Sequence, residues 1–190
     1  MKAKTQKTNL LREAAEWRLI SLMFECPVGD WQQNVKNLAD ETDEAQLKTA
    51  AEFAKVEASE GLYHSIFGPG GPAPAREVSY RSWVQPGYLL SELSAFYKAF
   101  SYQPNLQESP DHIAVETGFM AYLKLKQAFA NECGDKENVE ITAKAAKTFN
   151  DEHLAKFTEQ ITKSLASSDI EYLALASAAL LKRVGKDKDK

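Results

Sequence analysis

Glu108-Ser109-Pro110-Asp111-His112 opens the apolar run from Ile113 to Phe129, and the rest of the chain can be interpreted around this stretch. Ser109 is a favourable N-cap, and Pro110 falls at the first helical position, where a missing N–H costs nothing. Asp111 then lies in the first turn, where the helix dipole favours a negative charge. The run carries apolar residues on two sides, which is typical of a helix with several neighbours. We therefore expect a central helix whose polar start adjoins apolar surface, a suitable place for binding.

Composition narrows the classes of protein that the chain could belong to. The 190 residues are 44% hydrophobic and 26% charged with a net charge of −4, as in an ordinary single domain. No window approaches the ~20 apolar residues of a membrane span, so we expect no membrane insertion. The mild acidity argues against nucleic-acid binding, which needs a basic face. The first ten residues lack the apolar core of a signal peptide, and we therefore expect a cytoplasmic protein.

Helical periodicity dominates the chain, without repeats or alternating strand patterns. It predicts an all-α, single-domain bundle of about seven to nine helices over residues 1–183, and the charged tail 184–190 is expected to be disordered. Asn150-Asp151 is expected to kink or restart a long helical region. A Gly/Pro-rich loop, at about residues 68–87, separates two helical halves.

This loop contains Gly68-Pro69-Gly70-Gly71-Pro72-Ala73-Pro74, which cannot form a helix or a central strand. A segment of this length is usually functional or mobile. A phosphate-binding loop would require Gly-Lys-Ser/Thr at the start of a helix, and none follows here. A connector across the bundle is therefore favoured over nucleotide binding. A long hinge would also allow a homodimer formed by domain exchange.

Candidate metal and catalytic residues are sparse. Cys26 and Cys133 have no CxxC or Cys/His spacing, so we interpret both as reduced packing residues. The three histidines are widely separated and form no H-x-x-x-H or E-x-x-H pair, and we predict no metal and no cofactor. His64 and His153 are expected on a helix surface or at the core edge. Since a cation is disfavoured at a helix N-terminus, His112 is expected to be neutral and hydrogen-bonded.

The pentapeptide and the following Ile113-Ala114-Val115-Glu116 and Phe119-Met120-Ala121-Tyr122-Leu123 closely resemble the E-x-P-D-H motif and helix of the TorD/DmsD/NarJ-like redox-enzyme maturation chaperones. Two further segments, Tyr63 to Gly68 and Pro74 to Tyr80, look like the loop between that family's halves. Phe149-Asn150-Asp151-Glu152-His153-Leu154 resembles its F-x-x-x-H-L segment. Phe157 stands where the family's tryptophan is expected.

The resemblance implies a cytoplasmic, non-enzymatic chaperone without a cofactor of its own. Such proteins bind the twin-arginine leader, or the body, of the catalytic subunit of a molybdopterin-dependent oxidoreductase until the cofactor of that enzyme is inserted. Binding residues in the family cluster around the motif, which carries over here onto Pro110, Asp111 and His112.

A twin-arginine leader is an apolar segment preceded by two arginines, so its receptor needs an apolar groove with acidic groups at one end. Micromolar binding is about −8 kcal/mol, which a few buried leucine-sized side chains at ~1.5–3 kcal/mol each could supply after ordering costs. The expected groove is lined by Tyr88, Leu89, Leu93, Phe96 and Phe119. The expected acidic groups are Glu92, Glu108, Asp111 and Glu116.

Structural explanations compete with each of these assignments. Asp111 could be no more than a first-turn acid, and the stripe from Leu89 to Phe100 could be mostly core. At the level of function, a permanent structural subunit of a redox complex remains an alternative. A small helical enzyme or nucleotide-dependent switch using Asp111 and His112 is a weaker one, because the sequence contains no nucleophile motif and no oxyanion-donor signature.

Overall fold

The computed structural model describes the backbone of residues 2–186 and the side chains of residues 9–185. Within that part of the chain all regular structure is helical, which confirms the predicted all-α bundle. None of the described helices is long and apolar enough to cross a membrane. The helices are α1 (Lys2–Met23), α2 (Trp31–Glu41), α3 (Ala45–Glu57), α4 (Glu60–Phe67), α5 (Pro86–Ala99), α6 (Ile113–Glu132), α7 (Lys136–Phe149), α8 (Ala155–Ala166) and α9 (Glu171–Lys186).

Helix α6 is the centre of the bundle, as its apolar pattern predicted. It packs along α1 on one side and against α7 on another, and residues 113–121 are all buried. Gly118 permits the close approach of its neighbours. A Cβ at that position would lie 2.7 Å from the Tyr102 hydroxyl oxygen and 3.3 Å from the Ser21 hydroxyl oxygen.

Aromatic rings join α5, α6 and α7 in the core. The Phe119 ring centroid lies 4.9 Å from that of Tyr97 and 4.8 Å from that of Phe149, in edge-to-face arrangements that aromatic pairs prefer. The long helical region after α6 changes from α to π hydrogen bonding at Asn150–Leu154, so the predicted interruption at Asn150-Asp151 is a π turn with helical backbone on both sides. Phe157, in the position of the expected tryptophan, is fully buried.

The connector between α4 and α5 crosses the bundle and contains a 3₁₀ turn, Glu77–Tyr80. Its middle is fixed to the body: the Ala73 N–H donates to the Ile66 carbonyl at 3.2 Å, and Ala73 and Ala75 are buried. Whether the connector is mobile elsewhere stays a prediction.

The predicted start of the disordered tail is wrong for residues 184–186. Helix α9 continues to Lys186, and Val184, four residues after Leu180, extends its apolar face into the core. The rest of the predicted tail, residues 187–190, lies outside the described residues.

Candidate functional site

The start of α6 lies three residues later than the sequence cap would place it. Pro110 and Asp111 lie in a turn closed by the His112 N–H, which donates to the Ser109 carbonyl at 2.9 Å. Beyond this turn the chain pairs with the connector: the Glu77 N–H donates to the Asp111 carbonyl at 2.8 Å, and the Ile113 N–H donates to the Ala75 carbonyl at 2.8 Å. An isolated antiparallel bridge joins His112 to residue 76 between these bonds. His112 has extended backbone angles (φ −79°, ψ 133°), so the helix cannot begin before Ile113, and the prediction of Ser109 as N-cap and Pro110 as first helical residue was wrong.

His112 is the N-cap of α6, and its neighbours fix its protonation state. Its Nδ1 accepts the Ala114 N–H at 3.2 Å, and its Nε2 lies 3.2 Å from the Tyr63 hydroxyl oxygen. Burial lowers the pKa of His112, more strongly than the nearby carboxylates raise it, so the ring is neutral. Because Nδ1 is an acceptor, the single ring proton resides on Nε2, which donates to Tyr63. The expectation of a neutral, hydrogen-bonded His112 therefore agrees with the geometry.

The hydroxyl of Tyr63 also forms a hydrogen bond with Glu108. It donates to a carboxylate oxygen of Glu108 at 3.2 Å. Burial, followed by the charge of Glu108, raises the pKa of Tyr63 above its usual value, so the hydroxyl keeps its proton. The result is one directed chain of hydrogen bonds from the cap of α6, through Tyr63, to an exposed carboxylate.

Asp111 forms its hydrogen bonds within the protein. Its side chain is fully buried, and it accepts from Arg76 Nε at 2.9 Å, from the Ser109 hydroxyl at 2.6 Å and from the Val78 N–H at 3.3 Å. A carboxylate with these three donors has its charge compensated by the connector. The prediction that Asp111 offers a polar group to a client is therefore not supported. Pro110 is half-buried, and its carbonyl accepts from the Tyr97 hydroxyl at 2.8 Å.

Glu116 also lies in the interior, not on an acidic rim. It is fully buried, and within the described residues neither carboxyl oxygen has a hydrogen-bond partner. Burial raises its pKa well above the usual value, and the charges of Glu77 and Asp111 add to this effect. The raised pKa favours the neutral form, and the buried Glu116 is not placed to attract an arginine at a surface rim.

The sequence pattern did not indicate Glu77, a buried residue whose carboxyl group lies close to Glu116. Glu77, fully buried, accepts from Arg81 Nη1 at 2.6 Å, and its other oxygen lies 3.1 Å from His153 Nδ1. His153 is itself fully buried, which corrects its expected place at a surface or core edge. These contacts attach the connector to the π turn after α7. His64, in contrast, is exposed on α4, as expected.

The predicted groove along α5 is closed. Leu89, Leu93 and Phe119 are fully buried because the stripe of α5 packs into the core instead of facing solvent. Phe96 is half-buried, with its ring against Phe149 and His153. Tyr88 is 74% exposed, and Glu92 is exposed on the same helix, whereas the three apolar residues expected beside them are buried. The Leu89 to Phe100 stripe is thus mostly core, as the alternative proposed, with Phe96 and Phe100 half-buried at its edge.

An open groove of about 820 Å³ lies instead on the other side of the motif. Its walls are α1, the start of α2, α6 and the segment Tyr102–Glu108. Three large apolar side chains at its rim are exposed: Leu11 by 40%, Val28 by 55% and Leu125 by 51%. Of the predicted site residues, Glu108 is the one that lines this groove. Exposed apolar residues gathered at one concave surface typically indicate an interaction site.

The groove also contains an internal ion pair. The Arg18 guanidinium contacts both carboxylate oxygens of Glu25, and its Nη1 donates to the Ser21 hydroxyl at 2.8 Å. Ser21 in turn donates to the Ala114 carbonyl at 2.8 Å. The forked contact shows that a carboxylate of this groove accepts a guanidinium with two parallel bonds.

Comparison with known proteins agrees with the resemblance of the motif. The chain matches the family described as Nitrate reductase delta subunit over residues 34–163, which is more than half of its length. It is 31% identical to the selenate reductase assembly chaperone protein of Thauera selenatis over 137 residues. That alignment covers 71% of this chain and 63% of the relative, so the chain spans less than two thirds of the relative's length. The matched region includes the whole pentapeptide, α6 and the connector, and the chain therefore belongs to the nitrate reductase delta subunit family.

Proposed function

We propose that this protein is a non-catalytic, cytoplasmic assembly chaperone for the catalytic subunit of a molybdenum-dependent oxidoreductase. In this proposal, the groove between α1 and α6 holds the client's twin-arginine leader before cofactor insertion and export. The name of the relative, an assembly chaperone for selenate reductase, supports the functional class. The observation that carries the proposal is the open groove, in which exposed apolar side chains adjoin the exposed carboxylate of Glu108.

Two kinds of complementarity favour a leader as the occupant. The apolar rim at Leu11, Val28 and Leu125 suits the apolar half of a leader. Glu108 and Asp30, both exposed, lie along the same groove and suit its arginines. The residue pair Arg18 and Glu25 already displays the forked geometry that an arginine of the leader would adopt.

This proposal changes the roles of the motif residues. Glu108 contacts the leader. Pro110, Asp111 and His112 position Glu108 and the start of α6: Asp111 through the connector, and His112 through Tyr63. Most of the motif would then support the groove from inside the protein, and Glu108 would be its residue at the surface.

Peptide titration against groove variants tests the proposal. A peptide with two arginines and an apolar run should bind the wild type. Leu125→Glu should weaken binding at least ~10-fold, since 1.4 kcal/mol is tenfold and a buried leucine contributes more than this. Ile141→Glu is the matched control, because Ile141 is 47% exposed on α7, outside the groove. Equal affinities for the two variants would place the leader elsewhere.

The peptide itself supplies the second half of the test. Replacing its two arginines with glutamines should reduce binding and its salt dependence, and replacing the apolar run with serines should remove most of the affinity. If the apolar run is dispensable, the groove is not the site.

A permanent subunit of a redox complex remains the second candidate, because the family description names a reductase subunit. Copurification separates the two. A chaperone should associate with cofactor-free client and be absent from the mature enzyme, whereas a subunit should copurify with the cofactor-loaded enzyme in fixed stoichiometry.

A further inference from the structure

Three side chains with metal-binding atoms converge beside the groove. Cys26 Sγ, a carboxylate oxygen of Glu60 and a ring nitrogen of His64 all lie within 4.8 Å of one another. Glu60 and His64 are one turn apart on α4, and His64 Nε2 lies 3.8 Å from Glu60 Oε1. Cys26 comes from the turn after α1 and also lines the groove. Two separate elements thus bring a thiol, an imidazole and a carboxylate to one point.

This set of donors is the one that zinc prefers. Thiolate, imidazole and carboxylate bind Zn²⁺ at about 2.0–2.3 Å, which places tetrahedral ligand atoms roughly 3.3–3.8 Å apart. The Glu60–His64 separation of 3.8 Å is slightly longer than a nitrogen and an oxygen ligand need. The side chains of Glu60 and His64 are 66% and 63% exposed, so changes of rotamer can close the remaining distance to Cys26.

The electrostatic surroundings of Cys26 also favour a cation. The carboxylates of Glu60 and Glu108 both lie near its thiol. A divalent cation among these groups would offset their negative charge and stabilise a thiolate and a carboxylate together.

We propose that Cys26, Glu60 and His64 form a Zn²⁺ site at the edge of the groove. Three protein ligands leave the fourth tetrahedral position open to water or to a group from a bound partner, as in zinc sites that exchange ligands. Sequence spacing did not indicate the site, because Cys26 is distant from the Glu60/His64 pair along the chain. The site can be tested apart from the proposed leader binding, since two of its three ligands, Glu60 and His64, do not line the groove.

Calorimetry with ZnCl₂ and absorption spectroscopy with CoCl₂ test the site on the full chain. We expect saturable binding of one ion per chain and, with Co²⁺, a thiolate-to-metal charge-transfer band. Cys26→Ser should abolish the band, and His64→Ala and Glu60→Gln should each weaken Zn²⁺ binding on the order of 100-fold, because every ligand carries several kcal/mol of a typical zinc affinity. Cys133→Ser is the control, since Cys133 is an exposed free cysteine away from the site.

Two results would overturn the assignment: no one-to-one saturable binding by the wild type, or binding that Cys26→Ser and His64→Ala leave unchanged. Loss of the charge-transfer band in Cys133→Ser would place the metal at that thiol instead, and would also overturn it. His64→Ala and Glu60→Gln change exposed side chains, so both variants should fold, which circular dichroism checks. They therefore test the site even if Cys26→Ser is unstable. Failure here leaves the peptide titration unaffected, and the reverse is equally true.

Discussion

Tyr63 and His112 are hydrogen-bonded to each other, with 3.2 Å between the hydroxyl oxygen and Nε2. The capping bond at Nδ1 leaves Nε2 as the donor, so the Tyr63 proton is directed to Glu108. A histidine that caps the central helix therefore orients, through one tyrosine, a carboxylate at the rim of the groove. His112 is buried and does not reach the groove, but through Tyr63 it positions Glu108.

Tyr63→Phe tests that chain of hydrogen bonds. The variant leaves the His112 Nε2–H without its acceptor, so the free energy of unfolding should fall by about 1–2 kcal/mol. Peptide affinity should fall roughly threefold to tenfold because Glu108 loses its donor. Tyr80→Phe is the control: within the described residues the Tyr80 hydroxyl has no hydrogen-bond partner, so its removal should change neither quantity. Denaturant unfolding and peptide titration measure both, and equal behaviour of the two variants would contradict the positioning role.

Arg76 and Arg12 allow a matched comparison of two ion pairs. Their side chains are 43% and 42% exposed, but the partner of Arg76, Asp111, is fully buried, whereas the partner of Arg12, Asp43, is 71% exposed. Arg76→Ala leaves a buried carboxylate without its cation and should cost about 3 kcal/mol. Arg12→Ala should cost less than about 1 kcal/mol. Urea denaturation would contradict this if both variants lost the same stability.

Glu116 should make stability depend on pH. Its pKa is raised in the folded state, so it retains a proton that the unfolded chain releases above about pH 4.5. Its contribution is present at low pH and is lost as pH rises through the folded pKa. Glu116→Gln removes this dependence, and the variant should gain stability relative to the wild type between pH 5 and pH 8. Glu140→Gln, at an exposed position of α7, is the control for the loss of a carboxylate. A variant that is less stable at pH 8 than at pH 5, relative to the wild type, would show that ionised Glu116 is needed.

Limited proteolysis should cut the connector at one place. The Trp83 side chain is 84% exposed in an irregular segment, whereas Tyr80 stacks on Phe157 with 5.8 Å between ring centroids. Chymotrypsin should therefore cleave first after Trp83. Tyr88 is the control, since it is 74% exposed but lies in α5. Mass spectrometry of the first fragments checks this, and initial cleavage after Tyr80 would mean that the 3₁₀ turn opens.

The helices and the central place of α6 could be predicted because both depend on local periodicity. The N-cap could not, because residues 75–77, more than thirty positions earlier in the chain, pair with His112 and its two neighbours and keep His112 extended. Ser109 had the right chemistry for a cap but uses its hydroxyl on Asp111.

The groove proposed as the site adjoins the predicted motif, but the buried α5 residues predicted to line a groove do not line it. The stripes on α1 and α5 have similar apolar patterns, and only the packing of neighbouring helices decides which is covered. Leu93 is covered and Leu11 is not. In the same way, Glu116 and Glu108 are both acidic residues near the motif, and burial alone separates a neutral core group from a surface carboxylate.

The connector's ion pairs have a consequence for assembly with a second copy. If the irregular residues 81–85 opened as a hinge, the Arg76–Asp111 and Glu77–His153 contacts would re-form between two chains in the same geometry. An exchanged dimer would then retain the same interactions as the monomer and differ from it chiefly in entropy. The two forms would interconvert slowly, because the bundle must open first. The ratio of dimer to monomer would therefore depend on the protein concentration at which the chains folded.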